Sequence, residues 1–342
     1  MAKKTILGVD IGHDQLKLAL VRGRRVLKTA TAEMPENLLK EGRVVSREVM
    51  GELVRSTMKS NGIHAKHAAF VLPDNVVFIK NVEMPAMSAE QLEYNLPFEF
   101  NDYITGELKD FVFDYAVLPK ENPEEDAGEE QEQPSDQDET VSLMAVGVSR
   151  AVVEDAQVLL HKAGLKMVMC APSVSAYIAL IRAQRENLSQ VGEEFGILDL
   201  GSRSIRMYMF RGDRHIATRE LEVGLSRLDD VLAEAFGVDP HLAHTYLMSN
   251  YQDCQQREEC RIAYENIAVE LVRALNFYRF SNRDSTLSDM WLCGGGAVIE
   301  PLADAIGSMV DMRLHTPDEL VPGGEAVPDC NSYIQAIGIA MA

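Results

Sequence analysis

LGVDIGHDQLKLALVRGRRVL, residues 7–27, and GILDLGSRSIRMYMFRGDRHI, residues 196–216, are two versions of one sequence pattern. They align without a gap at a constant offset of 189 residues. The matched pairs are Asp10 with Asp199, Gly12 with Gly201, Lys17 with Arg206, Arg22 with Arg211, Gly23 with Gly212, and Arg25 with Arg214. An internal repeat of this kind predicts two copies of one structural unit.

Each copy predicts a β-hairpin followed by a third strand. An apolar strand ends in Asp-x-Gly, a strand of alternating apolar residues follows a tight turn, and an Arg-Gly turn leads into the third strand. Two such units, joined by a mixture of predicted helices and strands, predict an α/β protein with two similar domains that face each other.

The two Asp-x-Gly turns are candidate phosphate-binding elements. Glycine has no Cβ, so the backbone can approach a ligand closely, and the turn amides can form a nest for phosphate oxygens. Asp10 and Asp199 end their strands and are suited to orient Mg²⁺ through its water shell, while Lys17 is suited to pair with phosphate. A single turn of this type is more simply a local cap. Two in register favour a site that grips a polyphosphate from both sides.

A third motif, WLCGGGA at residues 291–297, contains three consecutive glycines between a predicted strand and a predicted helix. The glycines are Gly294, Gly295 and Gly296. Such a turn lets the backbone lie against a purine or an α-phosphate, with a helix N-terminus nearby. It is weak evidence alone, and it gains weight from its place after the two hairpins.

The chain between the repeats predicts further units. Alternating apolar residues at 111–117 and an apolar run at 141–148 predict two strands, and Ser88 with Gln91 predicts a capping box for a helix that runs to about residue 100. The predicted domains are a first domain at 1–83 plus 169–190, an inserted β/α subdomain at 84–168, a second domain at 191–325, and a C-terminal helix at 326–342 that returns to the first domain.

Composition excludes several classes of function. A formal net charge of −20 argues against general nucleic-acid binding. Residues 121–139 hold ten acidic residues, no basic residue and no large apolar residue, so we predict a disordered acidic loop at 120–139. The five cysteines have no metal-like spacing, which predicts reduced thiols. No apolar segment predicts direct insertion into a membrane.

These motifs resemble those of the actin/Hsp70/sugar-kinase superfamily, whose members have an actin-like fold of duplicated RNase H-like domains. Residues 8–21, 197–210 and 291–306 resemble its two phosphate motifs and its adenosine motif, in the order of that superfamily. Within it, the chain resembles the PilM family of type IV pilus assembly proteins, and the related cell-division protein FtsA, over essentially its whole length. VEMPAMSAEQLEYNLPFEFNDYI at 82–104 and MAVGVSRAVVEDAQVLLHKAGLK at 144–166 carry the resemblance to PilM.

The resemblance implies a cytoplasmic scaffold that binds ATP or ADP with Mg²⁺ between its two domains. It also implies a groove, between the first domain and the inserted subdomain, that holds the cytoplasmic N-terminal tail of a PilN-like membrane protein. Through that partner, and with other pilus-assembly proteins, the chain would be peripheral at the inner face of the cytoplasmic membrane. The residues expected at phosphate are Asp10, Gly12, His13, Lys17, Asp199, Gly201, Ser202 and Arg203, with Asp10 and Asp199 facing Mg²⁺ through water. Those expected at adenosine are Gly294, Gly295, Gly296 and Glu270.

Three departures from the superfamily pattern bear on activity. His13, followed by Asp14, stands where relatives place a small or hydroxyl residue. Arg203 follows Ser202 in the second phosphate motif. Around Ala171, where relatives often carry acidic residues, this chain has none. Without an obvious general base, we expect at most slow hydrolysis of ATP.

Three alternatives stay open on the sequence alone. A small-molecule kinase of the same superfamily needs a carboxylate that deprotonates its substrate, and no candidate stands out. An FtsA-like filament protein with a membrane-binding C-terminal helix predicts basic residues there, whereas residues 333–342 contain no Lys or Arg. A scaffold that has lost nucleotide binding would show no gain in thermal stability with nucleotide.

Overall fold

The computed structural model contains two five-stranded mixed sheets whose strand orders match. The structure describes residues 4–35, 37–40, 43–118, 140–186, 188 and 191–342, and the predicted acidic loop at 120–139 lies outside them. The strands are β1 (Thr5–Ile11), β2 (Gln15–Arg22), β3 (Arg25–Glu33), β4 (Leu39–Lys40), β5 (Arg43–Val44), β6 (His67–Leu72), β7 (Val77–Pro85), β8 (Phe111–Val117), β9 (Thr140–Ser149), β10 (Lys166–Pro172), β11 (Glu194–Leu200), β12 (Ile205–Arg211), β13 (Arg214–Leu221), β14 (Asp289–Cys293) and β15 (Arg313–His315). The helices are α1 (Arg47–Ser60), α2 (Ala89–Asn95), α3 (Arg150–Lys162), α4 (Ser173–Gln184), α5 (Ser226–Phe236), α6 (Pro240–Ser249), α7 (Glu258–Ser281), α8 (Glu300–Met309) and α9 (Cys330–Met341).

The two large sheets have one topology. The first has the order β10-β6-β1-β2-β3 and the second the order β15-β14-β11-β12-β13. In each sheet, the three strands of the repeat are antiparallel to their neighbours within it. The first strand of the repeat also pairs in parallel with a further strand, β1 with β6 and β11 with β14. Asp10 lies opposite Lys17 in the first hairpin, and Asp199 lies opposite Arg206 in the second. The predicted duplication is confirmed down to the register of the hairpins.

Apolar sequence explains which strands lie inside each sheet. β6, with the sequence HAAFVL, and β14, with the sequence DMWLC, are buried along almost their whole length. Strands that are covered on both faces need near-continuous apolar sequence of this kind. Both strands run parallel to the first strand of their hairpin, so their carboxyl ends lie at the same edge as the Asp-x-Gly turns.

A three-stranded sheet of order β7-β9-β8 stands apart from the two large ones and carries α2. The capping box of Ser88 and Gln91 is confirmed at the start of this helix. The helix is shorter than predicted. The sequence predicts that it runs to about residue 100, but α2 ends at Asn95 and a 3₁₀ turn covers Leu96–Phe100. Pro97 has no N–H to donate, so the α-helical hydrogen-bond pattern cannot continue through it. The domain boundaries themselves stay a prediction.

The last helix packs against the first sheet. A Cβ on Gly8 of β1 would lie only 1.7 Å from the carbonyl oxygen of Ala336 in α9. A Cβ on Gly338 would lie 2.3 Å from the carbonyl oxygen of Ala176 in α4. Because only glycine permits such close approach, α9 is fixed between β1 and α4. In the described residues, no helix combines the length and the apolar character that a bilayer crossing requires.

Candidate functional site

A cavity of about 800 Å³ opens between the two large sheets, and both Asp-x-Gly turns line it. Ten of the twelve residues predicted for nucleotide binding are among its lining residues, namely Asp10, Gly12, His13, Lys17, Asp199, Gly201, Ser202, Arg203, Gly294 and Gly295. The structure therefore brings the two predicted phosphate elements and the glycine turn to one place.

The close packing within each turn favours glycine at both positions. A Cβ on Gly12 would lie 3.0 Å from the carbonyl oxygen of Gln15. A Cβ on Gly201 would lie 2.7 Å from the carbonyl oxygen of Ser204, which is also three residues further along the chain. The repeat thus extends from sequence to turn conformation, and it presents equivalent backbone to both sides of the cavity.

The glycine turn after β14 packs directly on the second Asp-x-Gly motif. Gly294 has φ of +84°, and a Cβ there would lie 2.4 Å from Oδ1 of Asp199. Gly296 does not line the cavity, and a Cβ there would lie 2.7 Å from Cβ of Leu200. Gly294 and Gly295 face the cavity, whereas Gly296 permits packing against the end of β11.

The structure does not bring Glu270 to the cavity. The buried face of α7 includes Ile267 and Leu271, so Glu270 is only partly covered and forms an ion pair with Arg273 one turn along the helix. No described residue of α7 lines the cavity, and where this helix lies depends on tertiary packing that the local sequence does not encode.

Buried carboxylates set the electrostatics of the cavity. The pKa of Asp10 is raised to about 6, chiefly by burial and also by the charges of Asp199 and Asp74, while Lys17 opposes the shift. Burial also raises the pKa of Asp199, against the effect of Lys17 and Arg206. Nζ of Lys17 lies 3.9 Å from Oδ2 of Asp10, so the ammonium only partly compensates the two carboxylates. Two buried carboxylates that interact in this way favour a cation between them.

The pair His13–Asp14 lies at the first turn, and both side chains are about one-third exposed. Nδ1 of His13 is 2.9 Å from Oδ1 of Asp14. Burial raises the pKa of Asp14, but hydrogen bonds with His13 and Ser202 outweigh that effect and leave its pKa below the ordinary value. Asp14 is thus held by both phosphate turns, and its charge is partly satisfied within the protein.

Sequence reasoning missed two groups that also line the cavity. Asp74 follows β6, accepts a hydrogen bond of 2.5 Å from Tyr208, and lies 3.7 Å from Nε of Arg206. Arg206 was detectable, because it matches Lys17 in the repeat. The signal for Asp74 was only a Pro-Asp-Asn turn, and its place in the site depends on the parallel pairing of β6 with β1.

A second missed group comes from the two helices that pack on the first sheet. Tyr177 of α4 and Gln335 of α9 line the cavity. Gln335 donates a hydrogen bond of 2.7 Å to Oδ2 of Asp199. Nothing in the apolar sequence of α9 pointed to this contact, because it depends on how the C-terminus packs against the first sheet.

The donor set fits a hydrated magnesium ion. Mg²⁺ prefers oxygen ligands and keeps several of its waters, so it binds through few carboxylates together with substrate phosphates. Asp10 and Asp199 supply carboxylate oxygens from opposite sheets, and each belongs to a turn whose backbone faces the same cavity.

The two equivalent sheets, the paired turns and the cavity between them define the actin-like ATPase fold, and this fold suggests nucleotide binding. A family model described as "Type IV pilus assembly protein PilM" matches residues 8–321. The chain therefore belongs to the PilM family of type IV pilus assembly proteins. No curated protein sequence matches the chain significantly.

Solved structures support the same fold. The chain is similar to a structure described as "PilM-PilN type IV pilus biogenesis complex", with 22% sequence identity and a TM-score of 0.77, over 98% of this chain and 97% of that chain. It is also similar to the ethanolamine utilization protein EutJ from Carboxydothermus hydrogenoformans, with 14% identity and a TM-score of 0.61, over 100% of this chain and 90% of that chain.

Proposed function

We propose that this chain binds ATP or ADP with Mg²⁺ in the cavity and acts as a nucleotide-biased scaffold in type IV pilus assembly. The convergence of the Gly12 and Gly201 turns on one cavity carries the proposal. The turn amides and Lys17 bind the phosphates, Asp10 and Asp199 hold the water shell of Mg²⁺, and the backbone that follows β14 faces the adenosine. Bound Mg²⁺ supplies the positive charge that the phosphates and the two carboxylates need.

We further propose that the scaffold holds the cytoplasmic N-terminal tail of a PilN-like membrane protein. Family membership and the similarity to the PilM–PilN complex support this partner. The subdomain built on the three-stranded sheet exposes the rings of Tyr94 and Phe98, whose centroids lie 6.0 Å apart. These rings offer apolar surface to a peptide. Such a tail would place the chain in the cytoplasm, peripheral to the inner face of the membrane, without insertion of its own.

Calorimetric titration of ATP and ADP in the presence of Mg²⁺ tests the nucleotide proposal. We expect binding of roughly micromolar strength, and a gain of about 4 kcal/mol in stability at a thousandfold excess of ligand over its Kd. Asp199→Asn is expected to weaken Mg²⁺-dependent binding at least about tenfold, because it removes the charge that faces the metal. Asp284→Asn makes the same chemical change at an exposed residue outside the cavity and serves as the control. Absence of both heat and stabilisation in the wild type would show that this scaffold works without nucleotide.

Fluorescence anisotropy with a labelled tail peptide tests the partner proposal. The peptide is the cytoplasmic N-terminal tail of a PilN-like protein from the same organism, and a scrambled peptide is the sequence control. We expect the double variant Tyr94→Ser, Phe98→Ser to weaken binding at least about tenfold, because two exposed rings lose their contacts. Phe280→Ser removes a ring that is also exposed but lies on α7, and should leave binding unchanged. Failure of the tail peptide to bind, with and without nucleotide, contradicts the proposal.

A further inference from the structure

Gln335 lies among apolar residues of α9, and its side chain lines the cavity. We propose that Gln335 is a positioning residue, which holds the Asp199 carboxylate in the orientation that a hydrated Mg²⁺ requires. The inference rests on the proposed function, since it concerns the metal that accompanies the nucleotide.

Three hydrogen bonds fix the amide of Gln335. Nε2 donates to Oδ2 of Asp199 at 2.7 Å and to the hydroxyl of Tyr177 at 3.1 Å. The Ser173 hydroxyl donates to Oε1 at 3.1 Å. A carboxylate only accepts and an amide nitrogen only donates, so the contact with Asp199 is made by Nε2 and leaves Oε1 for Ser173. The amide is therefore held in one orientation by partners on both sides.

The Asp199 carboxylate is confined from two directions. Oδ2 is bound by Gln335, while Oδ1 lies so close to Gly294 that a Cβ there would approach it to 2.4 Å. A carboxylate with both oxygens restrained needs no reorganisation when the metal arrives, and such preorganisation strengthens binding. Without the Gln335 donor, Asp199 loses the hydrogen bond of 2.7 Å at Oδ2 and keeps its interaction with Tyr177 and its packing against the glycine turn.

The contact also joins the two halves of the molecule. Ser173 and Tyr177 belong to α4, which packs with α9 against the first sheet, whereas Asp199 ends β11 of the second sheet. Gln335 thus connects the metal-facing carboxylate of one half to two helices of the other. If metal binding shifted the Asp199 carboxylate, the shift would be transmitted to α4 and α9 through the Gln335 amide.

The test compares nucleotide affinity with Mg²⁺ and with EDTA. In the wild type, Mg²⁺ is expected to tighten the binding of ADP. In Gln335→Met, which keeps the length of the side chain and loses both polar atoms, we expect this Mg²⁺-dependent tightening to fall roughly tenfold, while affinity in EDTA stays the same. Gln256→Met makes the identical change at an exposed residue outside the cavity and should leave both affinities unchanged.

Metal binding gives a second readout that a merely structural role would not move. With ADP saturating, titration with Mn²⁺ followed by electron paramagnetic resonance reports the affinity for the metal directly. We expect a weaker Mn²⁺ affinity in Gln335→Met, by a factor similar to that seen with Mg²⁺. Circular dichroism and thermal unfolding establish that each variant is folded.

The outcomes distinguish a failure of this inference from a failure of the proposed function. If the wild type binds no nucleotide, the proposed function and this inference both fall. If the wild type shows the Mg²⁺ effect and Gln335→Met keeps it in full, the inference alone is overturned. If Gln335→Met does not fold, Ser173→Ala carries the test, because it removes the donor that holds Oε1 of Gln335. That variant should reduce the Mg²⁺ effect a few-fold, and an unchanged effect overturns the inference.

Discussion

Asp10, Asp74 and Asp199 dominate the site at the scale of single residues. All three line the cavity, and burial raises the pKa of each carboxyl. The positive groups nearest to them are Lys17, which lies beside Asp10, and Arg206, which lies beside Asp74. A nucleotide-free site of this kind holds charge that is only partly compensated, and a bound cation relieves it.

The substitution Asp10→Asn should therefore stabilise the nucleotide-free protein above neutral pH. The folded pKa of Asp10 is about 6 and the ordinary value is 3.8, so the folded state binds this proton more tightly. The destabilising effect of the charged carboxyl grows as pH rises from about 4 to about 6 and is complete above that window. In urea unfolding of dilute protein, we expect a gain of roughly 1–3 kcal/mol at about pH 8 and almost none at about pH 4.

Asp284→Asn is the control for this measurement, since its carboxyl is exposed. If the stability of Asp10→Asn follows that of the wild type at both pH values, the carboxyl of Asp10 does not have the raised pKa on which this argument depends.

Hydrolysis of bound ATP should be slow for reasons that also belong to single residues. β10 ends in Ala171 and Pro172, and the hydroxyl of the following Ser173 donates a hydrogen bond to Oε1 of Gln335. The end of β10 therefore offers no carboxylate that could orient an attacking water. A steady-state assay of phosphate release should give turnover far below the common range of about 1–1000 per second. Turnover within that range contradicts this assignment.

At the scale of elements, the sequence predicted what local patterns encode. The strand predicted at 111–117 is β8, the strand predicted at 141–148 lies within β9, and the repeat predicted both hairpins with their turns. The positions of Asp74 and Gln335 were not predictable in this way. Asp74 reaches the site because β6 pairs in parallel with β1, and Gln335 because α9 packs on the first sheet after the chain has passed through the second.

The packing of α9 gives a prediction at this scale. In Gly8→Ala, the new methyl group meets the backbone carbonyl of Ala336 at 1.7 Å, and neither β1 nor α9 can move easily. We expect a loss of about 3 kcal/mol or more in the free energy of unfolding, measured with urea. Gly196→Ala is the matched control, because its Cβ meets first the flexible end of Met290, at 2.9 Å. Equal losses for the two variants would show that α9 does not lie so close to β1.

At the scale of the whole molecule, the two halves are joined beneath the cavity and open above it. One apolar cluster contains Ala19 and Tyr177 from the first half together with Tyr208 and Trp291 from the second. The hydrogen bond from Asn81 to the carbonyl oxygen of His215, at 2.9 Å, adds a link between the three-stranded sheet and the second large sheet. A shared core of this kind limits the relative movement of the halves, so ligand-dependent change should take the form of small adjustments around the cavity.

The central claim is that two equivalent turns close on one polyphosphate. A crystal structure of the protein with Mg²⁺ and a non-hydrolysable ATP analogue tests it most directly. We expect the β- and γ-phosphates between the turns of Gly12 and Gly201, with the metal facing Asp10 and Asp199 through water. A nucleotide bound elsewhere, or an empty cavity at saturating ligand, would contradict it.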